Sequence, residues 1–186
     1  HDVIAAAVLG SPIAHSLSPL LHNTAYQFLG IEASYKAFNV PSGQLREFLA
    51  GDGADLNSLS LTMPLKEEAL SIADSVSAVS MQIHSGNTLH KVDGHWSLTS
   101  TDVEGFSNAL AFNGTDAKGK VLIIGAGATA RAVVAACDGV SDTVSIINRT
   151  PDREQALRKS GPDLDIEFLS WTSSIDFSDY DLVVNT

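Results

Sequence analysis

The chain has 186 residues, 44% of them hydrophobic, which gives room for one large domain or two small ones with packed cores. Eleven basic residues against 22 acidic ones leave a net charge of −11. That balance argues against a nucleic-acid partner or an anionic membrane surface, while a local nest of amides and one or two cations can still hold an anionic small molecule. The longest apolar runs fall far short of a membrane span, and His1-Asp2-Val3 has nothing of a signal peptide; His1 reads as a tag remnant or a trimmed start. The single cysteine, Cys137, forbids an internal disulfide, so a reducing, cytoplasmic setting is expected.

In chain order, Ile4 to Leu9 is a small-apolar, β-branched run that reads as a buried strand ending at Gly10. A loop follows to Ser18, the expected N-cap of a helix with Pro19 at its first position, an apolar face of Leu20, Leu21, Thr24, Ala25, Phe28 and Leu29, and Gly30 at its end. Ser34 to Val40 alternates as a strand, and Ser42 can cap a short helix through Leu49. Leu56 to Met63 is the next strand. Pro64 lacks an N–H and ends it, and a helix with two acids in its first turn is expected from Lys66 to about Asp74. Residues 86–92 and 95–99 around Asp93-Gly94 predict a β-hairpin, because Asp-Gly supplies the positive φ values of a two-residue turn. Asp102 opens a helix with Val103, Phe106, Ala109 and Leu110 on one face.

From Ala117 the texture changes. Val121 to Ile124 is a buried strand running into Gly125-Ala126-Gly127 and an Ala/Val-rich helix, in which Cys137 reads as a small buried hydrophobe. Strands at 143–147, 165–169 and 181–184, with a helix over 152–160, complete one mononucleotide-binding half of a doubly wound sheet. The expected organisation is α/β: a substrate-binding domain over 1–103 and an incomplete Rossmann-type nucleotide-binding domain over 104–186, truncated after its fourth strand.

Gly125 makes the tight turn of a dinucleotide fingerprint, Gly127 lets a pyrophosphate approach the helix amides, and Ala130 stands where the third small residue belongs. An NAD site places an acid at the end of the second strand to hold the ribose 2′-hydroxyl; here Asn148-Arg149-Thr150 occupies that place, which favours a 2′-phosphate and hence NADP. Ser16 and Ser18 flank Leu17, so their hydroxyls can face one way and suit a carboxylate or polyol, although N-capping explains Ser18 alone equally well. Thr62 and Lys66 lie at a strand-to-helix connection, where α/β sheets gather ligands; taken alone, Lys66 is an ordinary helix-start cation and Asp102 an ordinary cap. Together they are the available pair for moving a hydroxyl proton. His15 reads as structural or solvated, and the remaining histidines show no metal-ligand spacing.

The ordered motifs 7–19, Leu61-Thr-Met-Pro-Leu-Lys66, Gly86-Asn-Thr-Leu89, Thr101-Asp-Val-Glu-Gly105, Gly125-Ala-Gly127 and Asn148-Arg-Thr150 together resemble the shikimate dehydrogenase family over nearly the whole chain. The resemblance implies a substrate domain for shikimate or 3-dehydroshikimate, an NADP domain, and an active site in the cleft between them, serving chorismate and aromatic amino acid biosynthesis. It implies carboxylate ligands at Ser16 and Ser18, hydroxyl ligands at Thr62, Asn87 and Asp102, and proton transfer through Lys66 paired with Asp102. It also implies a pyrophosphate loop at Gly125, Ala126, Gly127, Ala128, Thr129 and Ala130, and a 2′-phosphate site at Asn148, Arg149 and Thr150. Departures stand at Ser60 and Ser100, where the family usually has Asn, at His84-Ser85-Gly86 for Gly-Ala-Val, and at Gly127-Ala128 for Gly-Gly. The family continues past residue 186 with nicotinamide-side strands and a helix bearing a substrate-binding glutamine. The expected protein is an NADPH-dependent shikimate dehydrogenase, a monomer or homodimer without nucleic-acid or membrane partners. An NAD-dependent quinate/shikimate dehydrogenase and a non-catalytic shikimate-binding homologue are the alternatives.

Overall fold

A computed structural model of the chain describes residues 4–149 and 151–186. The chain divides into two compact units, one of His1–Met81 and Ser85–Ser100, the other of Gln82–His84 and Thr101–Thr186.

The first unit is built on strands β1 (Ile4–Gly10), β2 (Ala33–Asn39), β3 (Ser58–Leu61), β4 (Ser75–Val76), β5 (Thr88–Val92) and β6 (His95–Thr99), in the spatial order β2-β1-β3-β5-β6-β4. β2, β1 and β3 are mutually parallel, and β5 and β6 form the expected hairpin, with Asp93 and Gly94 at φ 50° and 82°. Alternation along the strands sends Ala7, Leu9, Leu59, Leu61, Leu89 and Leu98 into one core with Leu45 and Leu65, and Ala6, Val8 and Tyr35 to the opposite face.

Helix α1 (Ser18–Leu29) departs from its sequence pattern. Ser18 is its first residue rather than its cap; the cap position is Leu17, and the Ser16 hydroxyl accepts from Ser18 N at 3.3 Å. No residue of α1 is buried, and Leu20, Leu21, Phe28 and Leu29 are exposed. The helix is fastened by polar groups instead. The Asn23 amide exchanges two 2.9 Å hydrogen bonds with the backbone of Tyr35, and the His22 ring stacks on Tyr35 at 4.0 Å.

Helix α2 (Leu45–Ala50) has Gln44 at its cap position, and Ser42 makes no cap bond there. The Glu68 carboxylate takes the amides of Gly43 and Leu45, at 2.8 and 3.0 Å, and so supplies the negative charge a helix start favours. Helix α3 (Leu65–Glu68) is shorter than expected and passes into a 3-10 turn at Ala69–Ser71. Sheet pairing draws the chain out of the helix: Asp74 N donates to Trp96 O and Asp74 Oδ2 accepts from Trp96 N, leading into β4. Helix α4 (Ala78–Ile83), which the sequence pattern left undrawn, follows.

The second unit carries β7 (Lys120–Ile124), β8 (Thr143–Asn148), β9 (Ile166–Ser170) and β10 (Leu182–Asn185), all parallel in the order β10-β7-β8-β9, with helices α5 (Asp102–Phe112), α6 (Ala128–Cys137) and α7 (Glu154–Ser160). Its core joins Val121, Ile123, Val144 and Ile146 to Ala130, Val133, Val134 and Cys137 of α6. Burial pushes the Cys137 thiol up from its ordinary value, as suits a packing residue rather than a nucleophile. Arg131 of α6 is 1% exposed, and its Nε donates to the Ile83 carbonyl at 2.7 Å.

Candidate functional site

In the first unit the backbone gathers the sequence-selected residues at the carboxyl ends of β1 and β3. Thr62 N donates to Leu9 O at 3.0 Å, and Ser11 N to Met63 O at 3.0 Å, so the loop carrying Ser16 and Ser18 leaves β1 beside Thr62. Gly10 permits this closeness, because a Cβ there would meet Thr62 Cγ2 at 2.4 Å and Met63 O at 2.9 Å. Leu61 N donates to Asn87 O at 2.8 Å, and Gly86 N to Lys66 O at 2.9 Å. These last two main-chain bonds tie the Asn87 segment to the segment carrying Thr62 and Lys66. Ser16, Ser18, Thr62, Lys66 and Asn87 are all part-exposed, as groups that meet a ligand must be. Asp102 belongs to the second unit, at the first position of α5, where Thr101 holds the cap position.

Two of the substituted positions acquire definite environments. Ser60 Oγ accepts from the Tyr35 hydroxyl at 2.7 Å. Ser85 is fully buried, and its Oγ finds no hydrogen-bond partner among the described residues.

In the second unit a cavity of about 450 Å³ opens at the carboxyl ends of the parallel strands. It is lined by Gly125, Ala126, Gly127, Asn148, Arg149, Arg153, Trp171 and Thr186, among others. Gly125 has φ 121°, and a Cβ there would stand 2.3 Å from Thr186 Oγ1. Only glycine fits, which is the requirement of a turn that lets a phosphate reach the amides at the start of α6. Ala130 is fully buried against the sheet, meeting the close-packing need of the fingerprint's third small residue. Asn148 ends β8 and Arg149 follows it, exposed; Thr150 lies outside the described residues. Among the described residues no acid lines the cavity, and two guanidinium groups do. The residues present therefore fit a dinucleotide with a 2′-phosphate. Sequence reasoning missed Arg153 and Trp171. Arg153, in the turn after β8, could have been found as a second cation close to Arg149; Trp171 becomes visible only from strand register.

Comparison with known proteins matches residues 8–89 to the family model "Shikimate dehydrogenase substrate binding domain". The shikimate dehydrogenase (NADP(+)) of Thermus thermophilus is 42% identical over 151 residues, 81% of this chain and 57% of that protein. The crystal structure of Mycobacterium tuberculosis shikimate dehydrogenase superposes with a TM-score of 0.84 at 31% identity, over 98% of this chain and 70% of that one. The chain belongs to the shikimate dehydrogenase family. Another member, a Thermus thermophilus enzyme solved in complex with NADP(H) and shikimate, gives a TM-score of 0.83 at 36% identity, over 99% of this chain and 68% of that one. The chain spans just under three fifths of the length of the curated shikimate dehydrogenases it matches first, 57% for the Thermus protein. The matched residues run from within β1 through β2, β3 and β4 to the start of β5.

Proposed function

We propose that this chain carries the substrate and NADP sites of a shikimate dehydrogenase, catalysing the reversible NADPH-dependent reduction of 3-dehydroshikimate to shikimate on the route to chorismate. The observation that carries this reading is the pairing of two features in a member of that family: five polar residues clustered at the ends of β1 and β3, and a nucleotide cavity with Arg149 where an NAD site needs an acid. Ser16 and Ser18 hydroxyls hold the substrate carboxylate, while Thr62, Asn87 and Asp102 hold its ring hydroxyls. The Lys66 ammonium donates a proton to the ketone oxygen as it becomes an alcohol, and takes it back in the reverse direction. Asp102 is the carboxylate that holds that proton-bearing group in place. Asn148, Arg149 and Thr150 bind the 2′-phosphate, and the Gly125–Ala130 loop binds the pyrophosphate. Bound NADPH supplies the hydride. The protein is proposed to be cytoplasmic, a monomer or homodimer.

Calorimetric titration of the chain with shikimate, NADP+ and NAD+, alongside an absorbance assay of shikimate oxidation, tests the reading. Shikimate binding, with NADP+ preferred over NAD+ by at least tenfold, is the expected result. A preference for NAD+ defeats the cofactor assignment, and quinate binding in place of shikimate defeats the substrate assignment.

A further inference from the structure

Trp171 is 52% exposed and lies in the wall of the nucleotide cavity. It follows β9 directly, and its location is set by register: Asn148 of β8 pairs with Ser170 of β9, so Arg149 and Trp171 leave the sheet as neighbours, about one strand spacing of 4.8 Å apart. The indole takes no part in the apolar core of its unit. A large aromatic half in water beside two arginines and a glycine turn is suited to meeting a flat π-system there.

We propose that Trp171 is the stacking platform for the purine of the bound nucleotide. This rests on the NADP reading above and adds a residue to it. In an adenosine 2′-phosphate the base is attached to the carbon next to the one bearing the phosphate. A 2′-phosphate held by Arg149 and Arg153 at the end of β8 therefore leaves the base about one strand spacing away, over the end of β9, where the Trp171 ring stands. Stacking recognises the base by its face and not by its edge, so the ring favours a purine nucleotide without reading which purine it is.

The test uses the 186-residue chain in a Trp96→Phe background, which leaves Trp171 as the one remaining indole. Adenosine 2′,5′-bisphosphate and nicotinamide mononucleotide are the probes, with NADP+ as the reference ligand. The bisphosphate and NADP+ should quench Trp171 fluorescence. In calorimetry, Trp171→Ala should weaken both by about tenfold or more, and Trp171→Phe by less than about threefold, while nicotinamide mononucleotide is unaffected. Failure of the unsubstituted chain to bind either adenosine probe would sink the NADP reading itself. Binding with an unchanged dissociation constant in Trp171→Ala would overturn the stacking role alone. Equal losses for the bisphosphate and the mononucleotide would also overturn it.

Discussion

The Tyr35 hydroxyl donates to Ser60 Oγ at 2.7 Å, from a side chain only 5% exposed whose ring stacks on His22. Burial pushes the phenol above its ordinary value of 10; the Ser60 hydrogen bond opposes that shift, and Tyr26 adds to it. The folded value lies above the unfolded one, so the stability tied to this proton is intact below pH 10 and lost as pH rises through the folded value. An ultraviolet tyrosinate titration should show one of the three tyrosines ionising late, and Tyr35→Phe should abolish that component. The substitution should cost about 1 kcal/mol near neutral pH, and the gap to wild type should narrow in alkaline buffer. Three tyrosines titrating together would refute the assignment.

Gly86 sits where a Cβ would lie 2.4 to 2.7 Å from the side-chain carbons of Leu98, a fully buried core residue. Leu98 has no room to give, so Gly86→Ala should behave as an overpacking substitution and cost about 1–3 kcal/mol. Urea denaturation reads this directly, and an unchanged midpoint would mean that the core around Leu98 is looser than its burial indicates.

The sequence pattern carried the strands well, because β1 and β7 are nearly continuous apolar runs, β8 is rich in β-branched residues, and Asp93-Gly94 marks its hairpin without ambiguity. It failed on α1. Leu20, Leu21, Phe28 and Leu29 have the spacing of a buried face, yet the helix is held by Asn23 and His22 on Tyr35, and an amide-to-backbone clamp leaves no periodic trace. It failed likewise on the length of α3, where helix propensity yields to Asp74 pairing with Trp96, a contact 22 residues distant. The residues proposed for the substrate site were picked out because they fall at strand ends within motifs. Trp171 was not, since its neighbour across the sheet is known only once β8 and β9 are in register.

Arg149 is exposed at the end of β8 and lines the nucleotide cavity with Arg153. A guanidinium–phosphate contact is a charge-assisted hydrogen bond contributing about 1.5–3 kcal/mol, roughly 10- to 150-fold in affinity. Arg149→Ala should weaken NADP+ by that factor and leave NAD+ nearly unchanged. The NADP+ loss should shrink at high salt, where the partly exposed ion pair is screened in the parent protein too. Equal losses for both dinucleotides would mean that Arg149 supports the loop and does not read the phosphate.

Lys66 stands in the first turn of α3, part-exposed, while its carbonyl accepts from Gly86 N at 2.9 Å. The backbone bond that orders this corner survives any change of side chain, so Lys66→Ala should still fold. If the ammonium moves the hydroxyl proton, kcat should fall by about 10²–10⁴. KM for shikimate should stay within a few-fold if, as proposed, the carboxylate and ring hydroxyls are held by Ser16, Ser18, Thr62, Asn87 and Asp102. Kinetics in a form of the protein that turns over shikimate separate the two parameters. A rise in KM with kcat preserved would make Lys66 a substrate-binding cation, and the proton would then have to be assigned to another group.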